Sequence, residues 1–288
     1  MDVHRIAAFT YAGRGGNPAG VVRSDCLPAS SQMQAIAADI GYSETVFSAP
    51  RDDGSGYRVR FFAPDAEVAF CGHATVALGA VLAAEMGDGT FHLELNEGSV
   101  AVDGWVDADG MAAAFCSPPT GHSAVPLELQ AAGLALFGLS PEELDPDIPV
   151  AIVEAGVRHL LLPLRDRDRL AAMRYDMPTG ATLMRDWGLT TFSLVQAERP
   201  DRYHARNPFA IGGVYEDPAT GAGAAALAAY LGALGIIGAG PIEVIQGEDM
   251  GVPCMLHATP PPVQHGSARV TGRALRLDVP ARVISSPQ

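Results

Sequence analysis

The sequence predicts an α+β fold made of two similar halves. Two uncharged stretches match each other at a constant offset, one following Gly72 and the other following Gly221. Each is rich in small and apolar residues on all sides, which predicts a helix without a solvent-facing side. Several short strands accompany each helix, which favours α+β over a parallel, doubly wound sheet. We therefore expect a β-barrel-like sheet wrapped around a central apolar helix in each half.

The halves are expected to cover residues 1–118 and 119–288. The prolines and glycine of the stretch from Ser117 to His122 indicate a linker at this point. The second half then repeats the plan of the first with additional helices. The last strand of the second half, from Ala268 to Leu277, is compatible with packing back on the first half. The tail from Ser285 to Gln288 is expected to be frayed.

The charge of the chain excludes several classes of function. The formal net charge is −14, and no cluster of basic residues is present, which argues against nucleic acid or an anionic membrane as a partner. All 19 basic residues are arginine. Without a lysine amine, the chain has neither a Schiff-base or pyridoxal-phosphate mechanism nor a phosphate-binding P-loop.

Cysteine usage and hydropathy indicate a cytoplasmic protein. The cysteines are scattered without paired spacing, which fits reduced thiols better than disulfides or a zinc site: Cys26, Cys71, Cys116 and Cys254. Charged residues precede the first apolar run, so we expect no signal peptide. The uncharged run from Ala219 to Ile242 is broken by glycines and Pro241, so we expect no membrane span. We predict neither a metal nor a cofactor.

Both central helices begin with a glycine beside titratable groups. These groups are His73 in the first half and Glu216 and Asp217 in the second. A helix N-terminus offers free N–H donors and partial positive charge. Two such termini predict a small anionic ligand held between the halves.

Three titratable residues are candidates for acid–base chemistry. Taken singly, each has a structural interpretation: Glu44 as a surface glutamate, His73 as a packed first-turn histidine and Asp217 as a capping acid. Their matching positions in two similar halves favour a shared function in proton transfer. Cys71 is open to two interpretations, a reactive thiol at a helix N-terminus that takes a carbon-bound proton or a small buried core residue.

Four motifs together point to a known family. They are Gly16-Asn17-Pro18-Ala19, Ser43-Glu44-Thr45, Cys71-Gly72-His73-Ala74-Thr75 and Glu216-Asp217-Pro218-Ala219-Thr220-Gly221. In order and spacing, over essentially the whole chain, they resemble the PhzF-like phenazine biosynthesis isomerase family. The resemblance implies the diaminopimelate epimerase fold with its site in the cleft between two halves. It also implies cofactor-free proton transfer and a homodimer.

The resemblance also implies roles for individual residues. Glu44 is expected to be the main acid and base, assisted by His73 and Asp217. The expected substrate-binding residues are Asn17, Gly72, Gly221 and Ala222. The family commonly has serine where this chain has Ala222, so one hydrogen bond is expected to be missing. Related epimerases and racemases use one cysteine from each half, whereas this chain offers only Cys71, which argues against a two-thiol mechanism.

These observations predict a cofactor-independent isomerase that moves a proton on a small, carboxylate-bearing metabolite. One alternative is an amino-acid-type racemase or epimerase that uses Glu44 and either Cys71 or His73 on opposite faces of a stereocentre. A second alternative is a binding protein that keeps the cleft but has lost turnover. Ala222 is the feature that suggests the second alternative.

Overall fold

The computed structural model describes residues 2–277, which form two compact units. The first contains the described residues up to Cys116 together with those from Thr271 onward, and the second contains Ser117–Val270. Within residues 2–277, no helix combines the length and the apolar character that crossing a bilayer requires. The predicted frayed tail, Ser285–Gln288, lies outside the described residues.

The described residues contain both strands and helices. The strands are β1 (Asp2–Ala8), β2 (Asn17–Arg23), β3 (Glu44–Pro50), β4 (Tyr57–Phe62), β5 (Glu67–Val68), β6 (Gly89–Glu94), β7 (Ser99–Asp107), β8 (Gly110–Ala124), β9 (Ala151–Ala155), β10 (Arg158–Leu164), β11 (Thr191–Arg199), β12 (Arg202–Phe209), β13 (Val214–Asp217), β14 (Ile242–Gln246), β15 (Cys254–Thr259) and β16 (Ser267–Arg276). The α-helices are α1 (Ser30–Ile40), α2 (Gly72–Met86), α3 (Leu127–Phe137), α4 (Arg167–Ala171), α5 (Met177–Trp187) and α6 (Gly221–Ala233). Short 3₁₀ turns occur at Pro141–Glu143, Ala210–Gly212 and Glu248–Met250.

The sheet of the first unit has the strand order β7-β6-β4-β3-β2-β1, with β8 beside β7 and β16 beside β1. Strands β8 and β16 also pair with each other, so this order closes on itself. Strands β2 and β3 run parallel, and Ala19 lies opposite Glu44. This register brings the start of β3 close to the start of β2, where Asn17 lies.

Helix α2 forms the core of the first unit. Every residue from His73 to Ala83 is buried, and the helix contacts β7, β2, β1 and β3. The contact with β7 depends on two glycines, because a Cβ at Gly104 would lie 2.3 Å from the carbonyl oxygen of Gly79 and a Cβ at Gly79 would lie 2.5 Å from Cγ2 of Val102. The apolar central helix predicted from the sequence is confirmed, although its last turn, from Ala84, is exposed.

The second unit has the strand order β9-β10-β11-β12-β14-β15 between β8 and β16, with β13 beside β12. Helix α6 contacts β9 and β15, and its residues from Gly223 to Ala228 are buried. The additional helices α3 and α5 belong to a separate hydrophobic cluster, in which Leu129 and Met184 pack with Leu160 and Phe192 of the sheet. The result is the predicted α+β architecture with a buried central helix.

The predicted linker is a strand. The stretch Ser117–His122 continues β8 without a break. The hydroxyl of Ser117 accepts a hydrogen bond from the N–H of Ala268 at 3.1 Å, and the N–H of Thr120 donates to Gly266 at 2.9 Å. The two intervening prolines have the φ that an extended chain allows, and the hydrogen bonds on either side hold the strand in place.

Candidate active site

A cluster of polar side chains lies at the N-terminus of α2 in the first unit. Asn17 and Glu44 are the first residues of β2 and β3, Cys71 is the N-cap residue of α2, and His73 lies in the first helical turn. Ser43 immediately precedes β3. Because β2 and β3 are parallel neighbours, their starting residues lie at the same edge of the sheet.

His73 is the centre of this cluster. Its Nδ1 atom lies 3.3 Å from Asn17 Nδ2 and 3.2 Å from Cys71 Sγ. Its Nε2 atom lies 3.4 Å from Glu44 Oε2 and 3.4 Å from Ser43 Oγ. In the tautomer that carries its hydrogen on Nε2, the ring donates to Glu44 and accepts from Asn17 through Nδ1. The cluster therefore holds a proton donor and a carboxylate acceptor in direct contact.

Burial differs between the members of the cluster. The side chain of His73 is 7% exposed, whereas that of Glu44 is 20% exposed. Cys71 and Asn17 are buried. The carboxylate is thus the most accessible of these four groups, and the imidazole behind it is held by protein contacts on both ring nitrogens. Ser43, which precedes Glu44, is exposed, so the Ser43–Glu44 side of the cluster is the one that faces solvent.

The start of α2 also offers backbone donors. Cys71 makes no side-chain cap hydrogen bond, so the first helical N–H groups are not satisfied by a capping side chain. Gly72 begins the helix beside Phe115, and a Cβ there would lie 3.1 Å from the ring. The glycine therefore allows close packing of the aromatic ring against the helix start, and its contact with a substrate stays a prediction.

A second polar cluster precedes α6 in the second unit. Asp217 is the last residue of β13, and its Oδ2 accepts a hydrogen bond from the hydroxyl of Thr220 at 2.7 Å. Gln246, at the end of β14, accepts from the N–H of Thr220 at 3.0 Å and donates to the carbonyl of Asp217 at 2.6 Å. This network fixes the turn that leads to Gly221 and Ala222, which begin the helix.

The structure corrects the structural interpretation of Asp217 as a capping acid. The N-cap residue of α6 is Thr220, and Asp217 lies before it on a strand, opposite Asn207. The sequence did not identify Thr220 and Gln246 as parts of the site. A hydroxyl residue directly before a helix-starting glycine is the signal that indicates Thr220. No local signal identifies Gln246.

Glu216 has a different role from its neighbour Asp217. It is buried and pairs with the guanidinium of Arg206, whose Nε lies 3.0 Å from Oε2. Arg206 also donates to the carbonyl of Ala171 at 2.9 Å. Burial raises the pKa of Glu216, and the contact with Arg206 opposes that rise. These contacts make Glu216 a structural anchor of β13.

Fold and site together define a class of protein: an α+β chain in which a buried helix presents titratable side chains at its N-terminus. The chain matches the family model described as phenazine biosynthesis-like protein over residues 6–277, and it belongs to that family. The resemblance seen in the sequence motifs is thereby confirmed.

Relatives and a solved structure extend this finding. A protein of Deinococcus radiodurans described as an uncharacterized isomerase is 36% identical over 259 residues, covering 86% of this chain and 83% of the relative. The trans-2,3-dihydro-3-hydroxyanthranilate isomerase of Pseudomonas fluorescens is 30% identical over 255 residues, covering 88% of each chain. The protein is therefore an isomerase of this family.

A solved structure extends the comparison to the fold. The crystal structure of a PhzF-family phenazine biosynthesis protein from Bacillus anthracis has a TM-score of 0.82 at 21% identity, covering 96% of this chain and 98% of that one. At this identity the likeness concerns the fold alone. The fold is the diaminopimelate epimerase-like α+β fold that the sequence predicts.

Proposed function

We propose that the protein is a cofactor-independent isomerase that moves a proton between carbon atoms of a small, carboxylate-bearing metabolite. The observation that carries the proposal is the contact between Glu44 and His73, whose Oε2 and Nε2 atoms lie 3.4 Å apart at the start of α2. A carboxylate and an imidazole in contact can accept a proton and return one in the same place. Such a pair supports proton transfer without a prosthetic group.

In the proposed reaction, Glu44 is the main acid and base. Its carboxylate accepts a proton from an activated carbon of the substrate. The electron pair of the broken C–H bond moves into the conjugated double bonds of the substrate next to that carbon. The proton, or an equivalent one relayed through His73, then forms a new C–H bond at another carbon. No electrons are gained or lost, and each group returns to its starting protonation state. Asn17 acts as a positioning residue, since it contacts Nδ1 of His73.

The proposed substrate class follows from the helix start. The first N–H groups of α2 and the positive end of its dipole favour a carboxylate next to Glu44. The same groups would stabilise negative charge that develops while the proton is in transit. The Pseudomonas fluorescens relative is named for an anthranilate, which carries a carboxylate. That compound is the first substrate to test.

The groups at the start of α6 are proposed to act on the same substrate. In this proposal Asp217 assists proton transfer, and Thr220 and Gln246 hold its carboxylate and backbone in position. Gly221 and Ala222 contribute the helix start. We also propose that the protein acts as a homodimer, which size-exclusion chromatography with light scattering tests directly.

An epimerase is the second candidate function. It is favoured by the distance of 3.2 Å between Cys71 Sγ and His73 Nδ1, because a histidine at this distance can activate a thiol. An epimerase would use Glu44 and the thiol on opposite faces of one stereocentre, which requires the two side chains to separate beyond the 4.8 Å within which their ligand atoms lie. The product then differs from the substrate only in configuration, whereas the isomerase moves a hydrogen to another carbon.

Turnover in D₂O tests these proposals. The wild-type protein is incubated with trans-2,3-dihydro-3-hydroxyanthranilate and with carboxylates that raise its melting temperature in a thermal-shift screen. An isomerase yields a product with hydrogen or deuterium at a new carbon, detected by NMR. An epimerase yields deuterium at an inverted centre. A ligand that binds but yields neither a new isomer nor a deuterated carbon would contradict proton transfer.

A further inference from the structure

We propose that Glu44, Cys71 and His73 form a binding site for a thiophilic divalent cation, best matched by Zn²⁺, which acts as an inhibitor and not as a cofactor of the reaction. One ligand atom from each residue lies within 4.8 Å of the others. A carboxylate oxygen, a thiolate and an imidazole nitrogen are the ligand types that zinc binds in proteins. The carboxylate is partly exposed, so an ion can enter from solvent.

The distance between Glu44 and His73 is close to that of a tetrahedral zinc site. Zinc bonds of about 2.0–2.3 Å place neighbouring ligand atoms roughly 3.3–3.6 Å apart. His73 Nε2 lies 3.4 Å from Glu44 Oε2 and 3.9 Å from Cys71 Sγ. The first separation is near the required value, whereas Cys71 Sγ lies nearer to Nδ1, at 3.2 Å, so the Cys71 side chain must rotate towards Nε2 to complete the three-ligand set. A water molecule would fill the fourth position.

Two neighbouring side chains support metal binding through Nε2. A histidine that binds zinc through one ring nitrogen usually donates a hydrogen bond from the other. Asn17 is in contact with Nδ1 of His73, and rotation of its amide presents the carbonyl oxygen as the acceptor. Ser43 Oγ lies 3.4 Å from Nε2 and is close enough to hold a zinc-bound water.

The charge and the hard–soft character of the three ligand atoms favour a particular kind of ion. With Cys71 as thiolate and Glu44 as carboxylate, the ligands carry two negative charges, which match a divalent cation. Binding of the ion to sulfur releases the thiol proton of Cys71. Sulfur and nitrogen ligands favour zinc or cobalt over magnesium or calcium, which prefer oxygen. The net charge of −14 raises the concentration of cations near the protein.

The consequence for turnover rests on the proposed function, whereas binding of the ion does not. A bound ion would occupy a lone pair of the Glu44 carboxylate and the Nε2 position of His73, from which the ring donates its proton to Glu44 in the proposed reaction. Micromolar zinc is therefore expected to inhibit the isomerase, with chelation restoring activity. The deciding experiment measures binding alone, so that its failure and the failure of the proposed function are distinguishable.

Cobalt(II) is the probe, because a cobalt–thiolate bond absorbs in the near ultraviolet and a tetrahedral site absorbs in the visible. The full chain carries Cys26→Ser and Cys116→Ser, which removes the two exposed thiols. We expect both absorptions to saturate at one cobalt per chain and to disappear when Zn²⁺ is added. Cys254→Ser is the matched control, since Cys254 is the other buried cysteine, and it should leave the spectrum unchanged.

The ligands are then removed one at a time. Cys71→Ser should abolish the near-ultraviolet band. Glu44→Gln and His73→Gln should keep this thiolate band at saturating cobalt, but weaken cobalt binding at least about tenfold. Circular dichroism identifies any variant that does not fold, and the remaining variants then decide. A protein without the thiolate band at saturating cobalt would overturn the proposal. So would a band that survives Cys71→Ser, or binding that is unaffected by both Glu44→Gln and His73→Gln.

Discussion

One histidine of the second unit makes folding stability depend on pH. His159 on β10 is fully buried, and its Nδ1 lies 2.6 Å from Thr191 Oγ1. Within the described residues, its Nε2 has no hydrogen-bond partner. Burial lowers the pKa of His159 from 6.5 to about 4, because the charged imidazolium would lose its hydration without gaining a counter-ion. The folded protein therefore keeps this ring neutral at pH 7.

The sign and size of the effect follow from the two pKa values. Below about pH 6.5 the unfolded chain binds a proton at this position, whereas the folded chain does not until about pH 4. Protons therefore favour unfolding, and stability decreases as the pH falls through this window. At about 1.4 kcal/mol per pH unit, the loss amounts to roughly 3 kcal/mol. Above the window the residue contributes no pH dependence.

Urea unfolding of His159→Gln tests this reasoning. The experiment uses Trp105→Phe as background, so that fluorescence reports only Trp187 in the second unit. Between about pH 6.5 and pH 4, the variant should lose roughly 3 kcal/mol less stability than its parent, because carboxylates titrate equally in both. His122→Gln, which removes an exposed histidine of β8, should follow the parent. Parallel pH profiles for His159→Gln and its parent would refute the assignment.

Three further substitutions give distinct outcomes. Cys71→Ala should keep kcat within an order of magnitude, because Glu44 and not the thiol is the proposed base. If iodoacetamide instead inactivated the wild type rapidly, and substrate protected against it, the epimerase would be favoured. Ala222→Ser should change the ratio of the kcat/KM values measured for two analogues that differ by one polar substituent. The reason is that a buried polar group without a partner costs about 1–3 kcal/mol. An unchanged ratio would mean that this residue does not face the substrate. Glu216→Gln should destabilise the protein by about 3–5 kcal/mol in urea, because it leaves the buried guanidinium of Arg206 without its counter-ion. Glu248→Gln, in an exposed pair with Arg167, is the control and should change stability by about 1 kcal/mol or less; equal effects would contradict the role of burial.

Both central helices could be predicted from the sequence because their signal is local. An uncharged run of small and apolar residues has no stable position on a surface, and α2 is accordingly buried from His73 to Ala83. The four motifs also predicted that Glu44 and His73 lie together, and the structure has them 3.4 Å apart. Their roles in catalysis stay predictions until turnover is measured.

Features that depend on tertiary contacts could not be predicted. The prolines after Ser117 are typical of a turn, and the strand there is stabilised by hydrogen bonds to a segment that lies far along the chain, 151 residues later at Ala268. Gln246 reaches Asp217 because the strands that carry them both pair with β12, Gln246 opposite Ala205 and Asp217 opposite Asn207. No local pattern in the sequence encodes that arrangement. The contact of Asn17 with His73 likewise depends on the position of β2 beside α2.

The most direct test of the account is the turnover number of Glu44→Gln on a substrate that the wild type isomerises. The substitution removes the proton acceptor at nearly constant shape, so kcat should fall at least about 100-fold while the melting temperature changes little. Glu97→Gln, which alters an exposed glutamate of the same unit, is the matched control and should keep wild-type turnover. If Glu44→Gln retained more than about a tenth of the wild-type kcat, Glu44 would not be the acid and base of this isomerase.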